Sequence, residues 1–557
     1  MSRRYFVLPA VLLLSLVTAG PGRADDTVIR EFSSGSGPGA VGIVEPGEDA
    51  DTEGPQAIYA GDRGEIYLLD QLNGRILQFD PSEPSRPPQS LALPEDLRPT
   101  DIVVSADTIY TWDGQVRALQ ATGPADAPTR GLSLTRSGEP PDEAIGSVFA
   151  QMGSQPIEAE DGLTRRVGQA AGRGRQVIAS HGRGAMTADF SPAADEAGVE
   201  INLRPKGSAA AALRLRLQVR SRLGAVEVLD VDRQGRAYVL AENIPTDFSD
   251  QASAFVARFA ASGALEGVHE LPLDSSVAVS RRFVTVTPNG DVYFLRNRKG
   301  ATDVLGVGFR PLKGAGVIDT GPPRPQLSFA DLARRRGANA AVRPLTRARV
   351  LETAQAFATI KWRVNRGAYG GDPDSVCSGF NRVRRPGYLH GKADQEVQGI
   401  PYCWGCMGSL PQIASNIEHG VKAGNICTRN DPRRDVTGVD CSAFVSASWG
   451  LATHFTTIAI PSITKPVSNP FELLPGDALN KPGAHVMLFV RFTPDRKAEV
   501  IEASTGGCNG KVCRNVYPLG SLLARGYQPV RYRGLLDAAD PTPVATARPG
   551  AAAAGAR

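Results

Sequence analysis

The chain has 557 residues, 41% of them hydrophobic, with 62 basic against 58 acidic side chains and a net charge of +4. That length calls for two or three separately cored domains, and the near balance of charge excludes the basic surface of a nucleic-acid-binding protein. Past the first residues, no stretch approaches the run of about twenty apolar residues that a membrane-spanning helix needs.

The chain begins Met1-Ser2-Arg3-Arg4, continues with an apolar run from Tyr5 to Val17, and reaches Gly22-Arg23-Ala24 before Asp25. A basic start, a short apolar stretch and small residues at the cleavage positions form the pattern of a signal peptide over 1–24. The mature chain is therefore expected to be periplasmic or secreted, without membrane attachment; a retained membrane anchor is the alternative. No cysteine directly follows the apolar run, which argues against a lipid anchor.

Within a first domain over 25–311, residues 55–311 carry a weak internal repeat in which a polar turn precedes a strand containing tyrosine. Its clearest copies are Asp62-Arg63-Gly64-Glu65-Ile66-Tyr67, Ser105-Ala106-Asp107-Thr108-Ile109-Tyr110, Asp232-Arg233-Gln234-Gly235-Arg236-Ala237-Tyr238 and Pro288-Asn289-Gly290-Asp291-Val292-Tyr293. Most continue into a second turn and strand, as in Asn73-Gly74 before Arg75-Ile76-Leu77-Gln78-Phe79. Hairpin signals recurring every 40 to 55 residues or so predict an all-β propeller of about six blades, with degenerate copies around Phe149 and Val177. A pair of β-sandwiches is the alternative. In turn and strand pattern the unit resembles the repeats of NHL-type propellers. His181 and His269 stand alone in the sequence with no metal-spaced or nucleophilic neighbour, so the expected role is binding, with a protein or polysaccharide partner on a rigid face.

Residues 312–343, rich in Pro, Arg and Ala, read as a linker. From Thr346 to Ala358 a cap is followed by apolar residues at helical spacing, which opens a second domain over 344–536. The Pro-, Ala- and Gly-rich tail, 537–557, is expected to be disordered.

The second domain carries the chemistry. Asp440-Cys441-Ser442-Ala443-Phe444-Val445 places a cysteine at the first turn of a helix, with Asp440 as its cap and Gly450 as its stop. A thiolate there faces the positive end of the helix dipole. His485 then leads a strand, His485 to Val490, that is apolar on both faces. In the next strand, Ala498 to Ser504, Glu502 shares a face with Val500 and Ser504 and can accept the second ring N–H of His485. His390, His419 and His454 read as surface or loop histidines; a groove role for His454 or Trp404 is the sharper alternative.

These residues resemble the NlpC-type papain-like cysteine peptidases and amidases of bacterial cell walls. The family's blocks correspond to Pro401-Tyr402-Cys403-Trp404-Gly405, Asp440-Cys441-Ser442-Ala443-Phe444-Val445, Pro475-Gly476-Asp477, His485-Val486 and Glu502, in that order, over residues 345 to 535. The resemblance implies a papain-like α+β domain with Cys441 as nucleophile, His485 as general base, Glu502 as orienting residue and Tyr402 near the oxyanion. Three departures stand out: Ala443 in place of the commoner glycine, Glu502 where His, Asn or Gln is usual, and a longer segment between Trp404 and Asp440. By resemblance the substrate is a peptidoglycan stem peptide or another peptide, cleaved without a cofactor or metal. Acyl transfer by the same Cys–His pair, or a non-catalytic wall- or protein-binding scaffold, are the alternatives.

All seven cysteines lie in this domain. In an exported chain that arithmetic fits three disulfides and one free thiol, Cys441. The short loop between Cys508 and Cys513 favours their pairing, while connectivity overall stays open. A zinc site built on Cys403 and Cys406 with two later cysteines is the competing reading.

Overall fold

The computed structural model describes residues 26–45, 50, 52–138, 174–182, 184–209, 212–246, 251–311, 317–318, 345–371, 383–427, 435–493 and 495–536. The expected signal peptide, the tail, the degenerate repeat around Phe149 and most of the linker lie outside the described residues. What is described is mostly strand, with few helices.

The first half builds four-stranded antiparallel units in chain order. Ala57–Ala60, Ile66–Asp70, Arg75–Phe79 and Gln89–Ala92 form the first, and Asp101–Ser105, Thr108–Trp112, Val116–Thr122 and Thr129–Gly138 the second; their last strands join them into one sheet by a parallel pairing. Gly174–Ser180, Gly184–Pro192, Gly198–Pro205 and Leu213–Val219 make the third, and Arg222–Val231, Ala237–Ile244, Ser253–Phe259 and Leu265–Glu270 the fourth. The fifth is made of Val284–Val286, Val292–Arg298 and Ala301–Gly306, and is completed by the N-terminal strand Thr27–Ser34.

That last pairing ties the start of the region to its end. The strand Ala57–Ala60 touches both Asp101–Ser105 and Val284–Val286, and Arg222–Val231 touches both Val284–Val286 and Gly174–Ser180. The first strand of each unit thus gathers with the first strands of its neighbours, an arrangement consistent with an all-β propeller. The described residues form five units; the further copy expected around Phe149 lies outside them. Tyr67 and Tyr110 each fall in such a unit's second strand, whereas Val177 belongs to a unit with no tyrosine in the repeat position, which stretched the apparent period. Val317–Ile318, assigned to the linker from sequence, instead pairs in parallel with Leu213–Val219 at the edge of the third unit. The repeat's turns have a physical signature: Gly290 has φ +88°, and a Cβ there would lie 2.2 Å from the Tyr238 hydroxyl.

Among the described residues the second half has four α-helices: α1, Arg347–Thr359; α2, Leu410–Glu418; α3, Cys441–Ser448; and α4, Leu519–Ala524. Its sheet contains β1, Thr464–Pro466; β2, Ala478–Lys481; β3, His485–Phe492; β4, Ala498–Ser504; β5, Lys511–Tyr517; and β6, Gln528–Tyr532, in the antiparallel order β1-β6-β2-β3-β4-β5. Thr346 caps α1 by accepting the Arg349 N–H, and α1 buries Val350, Leu351, Ala354 and Phe357.

Strand alternation divides the core into two layers. Val486, Leu488, Val490, Ile501 and Ala503 pack with α1, α2 and α3, including an edge-on contact of Phe357 with Phe444. Leu479, Met487, Phe489 and Val500 pack on the other side with α4 and with Ile244 and Ala252 of the first half. The two halves therefore share a core.

Polar contacts fix their relative placement. Fully buried Glu242 accepts the N–H groups of Gly520 and Ser521 and the Ser521 hydroxyl, capping α4 from the other half of the chain. Burial pushes the Glu242 carboxyl up, and these donors work in the opposite direction. Lys497 pairs with Glu227 at 2.9 Å and with Asp495 at 3.2 Å. Burial opposes its charge, yet the two carboxylates hold it well above the usual lysine range.

Candidate active site

Helix α3 begins at Cys441 because Asp440 is an effective cap: its Oδ1 accepts the Ala443 N–H at 2.7 Å and its Oδ2 accepts the Gly405 N–H at 2.9 Å. One side chain therefore ties the start of α3 to the Trp404-Gly405 turn. Alongside, Tyr402 forms a parallel bridge with Val439, and Cys403 N donates to Val439 O at 2.9 Å. Gly438 makes this approach possible: its φ is +150°, and a Cβ there would sit 2.3 Å from Pro401 O. Tyr402 and Cys441 accordingly fall in the same buried cluster, at 2% and 0% exposure.

Cys441 is the free thiol among the described cysteines. Cys403 pairs with Cys406, Cys508 pairs with Cys513, and Cys427 is also in a disulfide. The Cys403–Cys406 bond replaces the zinc reading of that motif, and no cluster of metal-binding side chains occurs among the described residues.

The imidazole of His485 heads β3, and its Nε2 lies 2.7 Å from Glu502 Oε2 on β4, both side chains being buried. Glu502 Oε1 accepts from Asn515 Nδ2 at 2.5 Å and from the Tyr517 hydroxyl at 2.7 Å, both on β5. Burial alone would push the Glu502 carboxyl up; the hydrogen bond and charge of His485, with Asn515 and Tyr517, more than offset it and hold the group below its usual range. An ionised carboxylate is acceptor-only, so the proton in the pair belongs to His485 Nε2 and Nδ1 is the ring's second position. Tyr527 meets the ring edge-on, 6.3 Å between centroids.

The structure thus brings together His485 with Glu502, and Tyr402 with Cys441. Helix α3, which begins with Cys441, packs against β3 and β4, which carry His485 and Glu502. Alternation sets His485 on the strand face of Met487 and Phe489, while Cys441 belongs to the helical layer. Cys441 is the first residue of α3 and His485 the first of β3.

Sequence reasoning left several residues unassigned. His454, in the loop after α3 and partly exposed, has its Nε2 2.7 Å from Ser442 Oγ and 3.3 Å from Asp440 Oδ1, against the turn that carries Cys441. Asn515 and Tyr517 carried no motif, but their alternation on β5 opposite β4 was a usable signal. In the first half, His181 is not alone: its Nδ1 and backbone N–H meet Asp230, with Asp62 3.8 Å from Nε2. Despite burial, Asp230 holds the His181 ring above its ordinary range. His269 likewise has partners, its Nδ1 2.7 Å from Gly308 O and its Nε2 2.8 Å from Asp26. His181 directly follows the strand Gly174–Ser180 and Asp230 lies in Arg222–Val231, the first strands of neighbouring units, a juxtaposition that no local pattern could reveal.

No protein-family model matches the chain, and no curated protein matches it closely enough to count. Among solved structures it is similar to a streptogramin B lyase, with 13% identity over 49% of this chain and 71% of that one and a TM-score of 0.17. It is also similar to a luciferin-regenerating enzyme, at 9% identity over 50% of this chain and 99% of that one, TM-score 0.20. A third is a catalytically inactive variant of virginiamycin B lyase from Staphylococcus aureus with quinupristin, at 8% identity over 49% and 82%, TM-score 0.16. Likenesses this slight bear on neither the chemistry nor the C-terminal half.

Proposed function

We propose that the second half is a papain-like, NlpC-type domain and that the chain is an exported cysteine hydrolase cleaving an amide bond, with stem peptides of peptidoglycan as the substrate class. The observation that carries this reading is the buried His485–Glu502 pair at the head of β3, on which packs the capped helix that begins with the free thiol Cys441. In this reading His485 Nδ1 takes the Cys441 proton and the thiolate attacks the carbonyl carbon. The C–N bond breaks as the imidazolium passes that proton to the leaving amine, and water then hydrolyses the thioester to acid and thiol. The Cys441 backbone N–H and the Tyr402 hydroxyl would hold the oxyanion. The propeller-like half would position the wall polymer or a protein partner.

A second reading, a non-catalytic scaffold that binds the same wall polymer, is favoured by one observation: Cys441, His485, Glu502 and Tyr402 are each at most 2% exposed. Incubation with purified peptidoglycan separates the two. New amines released by the wild type and not by Cys441→Ala support hydrolysis; wall binding with no amines from either protein supports the scaffold.

A further inference from the structure

Between the propeller-like half and strand β5 lies a cleft of about 360 Å³, bordered by Trp112, Asp113 and Arg281 on one side and by Lys511 and Asn515 on the other. That volume suits a small ligand rather than a protein loop. Its polar atoms are unbalanced. The Nε and Nη1 groups of Arg281 are buried without a hydrogen-bond partner, as are Asp113 Oδ1 and Asn515 Oδ1, and Asn515 is fully buried. Each such group carries its full desolvation penalty if nothing pairs with it. Unpaired groups of this kind call for a specific explanation in a native structure.

The set is chemically selective. Cationic donors from Arg281 and Lys511 suit an anion, while the acceptors Asp113 and Asn515 beside them suit an N–H. A carboxylate with an N–H a few ångströms away is the C-terminal end of a peptide. We propose that this cleft is a second site, separate from the Cys441 turn, that holds the free C-terminal carboxylate and last N–H of a short peptide. Asn515 links it to the site described above, since its Nδ2 donates to Glu502 Oε1 at 2.5 Å while its Oδ1 awaits a donor. The proposal stands on the cleft's own groups and does not need Cys441 to turn over.

Calorimetric titration of the full chain carrying Cys441→Ala, so that no peptide is consumed, tests it with the tripeptide Ala-Ala-Ala and its C-terminal amide. The acid is expected to bind, and the amide to bind about ten-fold more weakly or worse. Adding Arg281→Gln should weaken the acid by about ten-fold with an unchanged circular dichroism spectrum. Thr359, at the rim, is exposed; Thr359→Glu leaves the buried groups intact and should weaken the acid several-fold by repulsion alone. Equal binding of acid and amide, binding that survives both variants, or no binding at about 10 mM, with water filling the cleft, would each overturn the proposal.

Discussion

Replacing Glu502 by glutamine isolates what its charge does. The side chain is 1% exposed and takes three hydrogen bonds, from His485, Asn515 and Tyr517. Glutamine keeps the shape and can still accept from Asn515 and Tyr517, but its amide nitrogen must then face His485 Nε2, a donor against a donor. Bonds to a charged acceptor contribute about 1.5–3 kcal/mol and neutral ones about 0.5–1.5, so weakening three of them should destabilise the C-terminal half by about 3 kcal/mol. The imidazole relieves the clash by moving its proton to Nδ1, the nitrogen that the proposed mechanism needs unprotonated. Selective ¹⁵N labelling of the six histidines reads the tautomer directly, and urea unfolding reads the stability. Wild type should carry the proton on Nε2 and Glu502→Gln on Nδ1. An identical tautomer in both, or a stability loss under about 0.5 kcal/mol, would refute the assignment of Glu502 as the group that orients His485.

Other perturbations follow from the same geometry. Gly438→Ala forces a Cβ to within 2.3 Å of Pro401 O at φ +150°; a loss of about 2–4 kcal/mol is expected by thermal unfolding, together with lower reactivity of Cys441 as the Tyr402–Val439 bridge parts. Asp440→Ala removes the cap of α3 and the Gly405 contact, and should cost about 2 kcal/mol by urea unfolding. Glu242→Ala leaves the start of α4 without its three donors' acceptor; a loss of about 2–4 kcal/mol is expected by thermal unfolding. Glu502 is held below its usual range, so its stabilisation is complete above about pH 4.3, the unfolded value, and is lost as pH falls through the lower folded value. An acid titration followed by circular dichroism should show this loss in wild type and a flattened profile in Glu502→Gln.

Local pattern in the chain was enough to place the elements that carry Cys441, His485 and Glu502. A cap, a helical apolar spacing and two alternating strands are short-range signals, and the His485–Glu502 contact follows from which residues share a face. The limits are equally physical. His181 and Asp230 meet only because the first strands of two units lie side by side, so neither residue's neighbours in sequence announce the pair. The five units differ in strand length and turn chemistry, and counting tyrosines gave a period that the third unit, with Val177, does not keep. The burial of Cys441 beneath the Tyr402 segment depends on Gly438 and Asp440 acting across some 35 residues, and the cleft beside Asn515 exists only once the two halves dock.

In the proposed mechanism thiol 441 and imidazole 485 act as one unit. The most direct measurement is the rate of alkylation of Cys441 by iodoacetamide against pH, in wild type and in His485→Ala. An isolated thiol titrates near about pH 8.5 and reacts little at about pH 6. Coupling predicts substantial alkylation of wild type at that acidity, lost in His485→Ala until alkaline pH; superimposable profiles for the two proteins would contradict it.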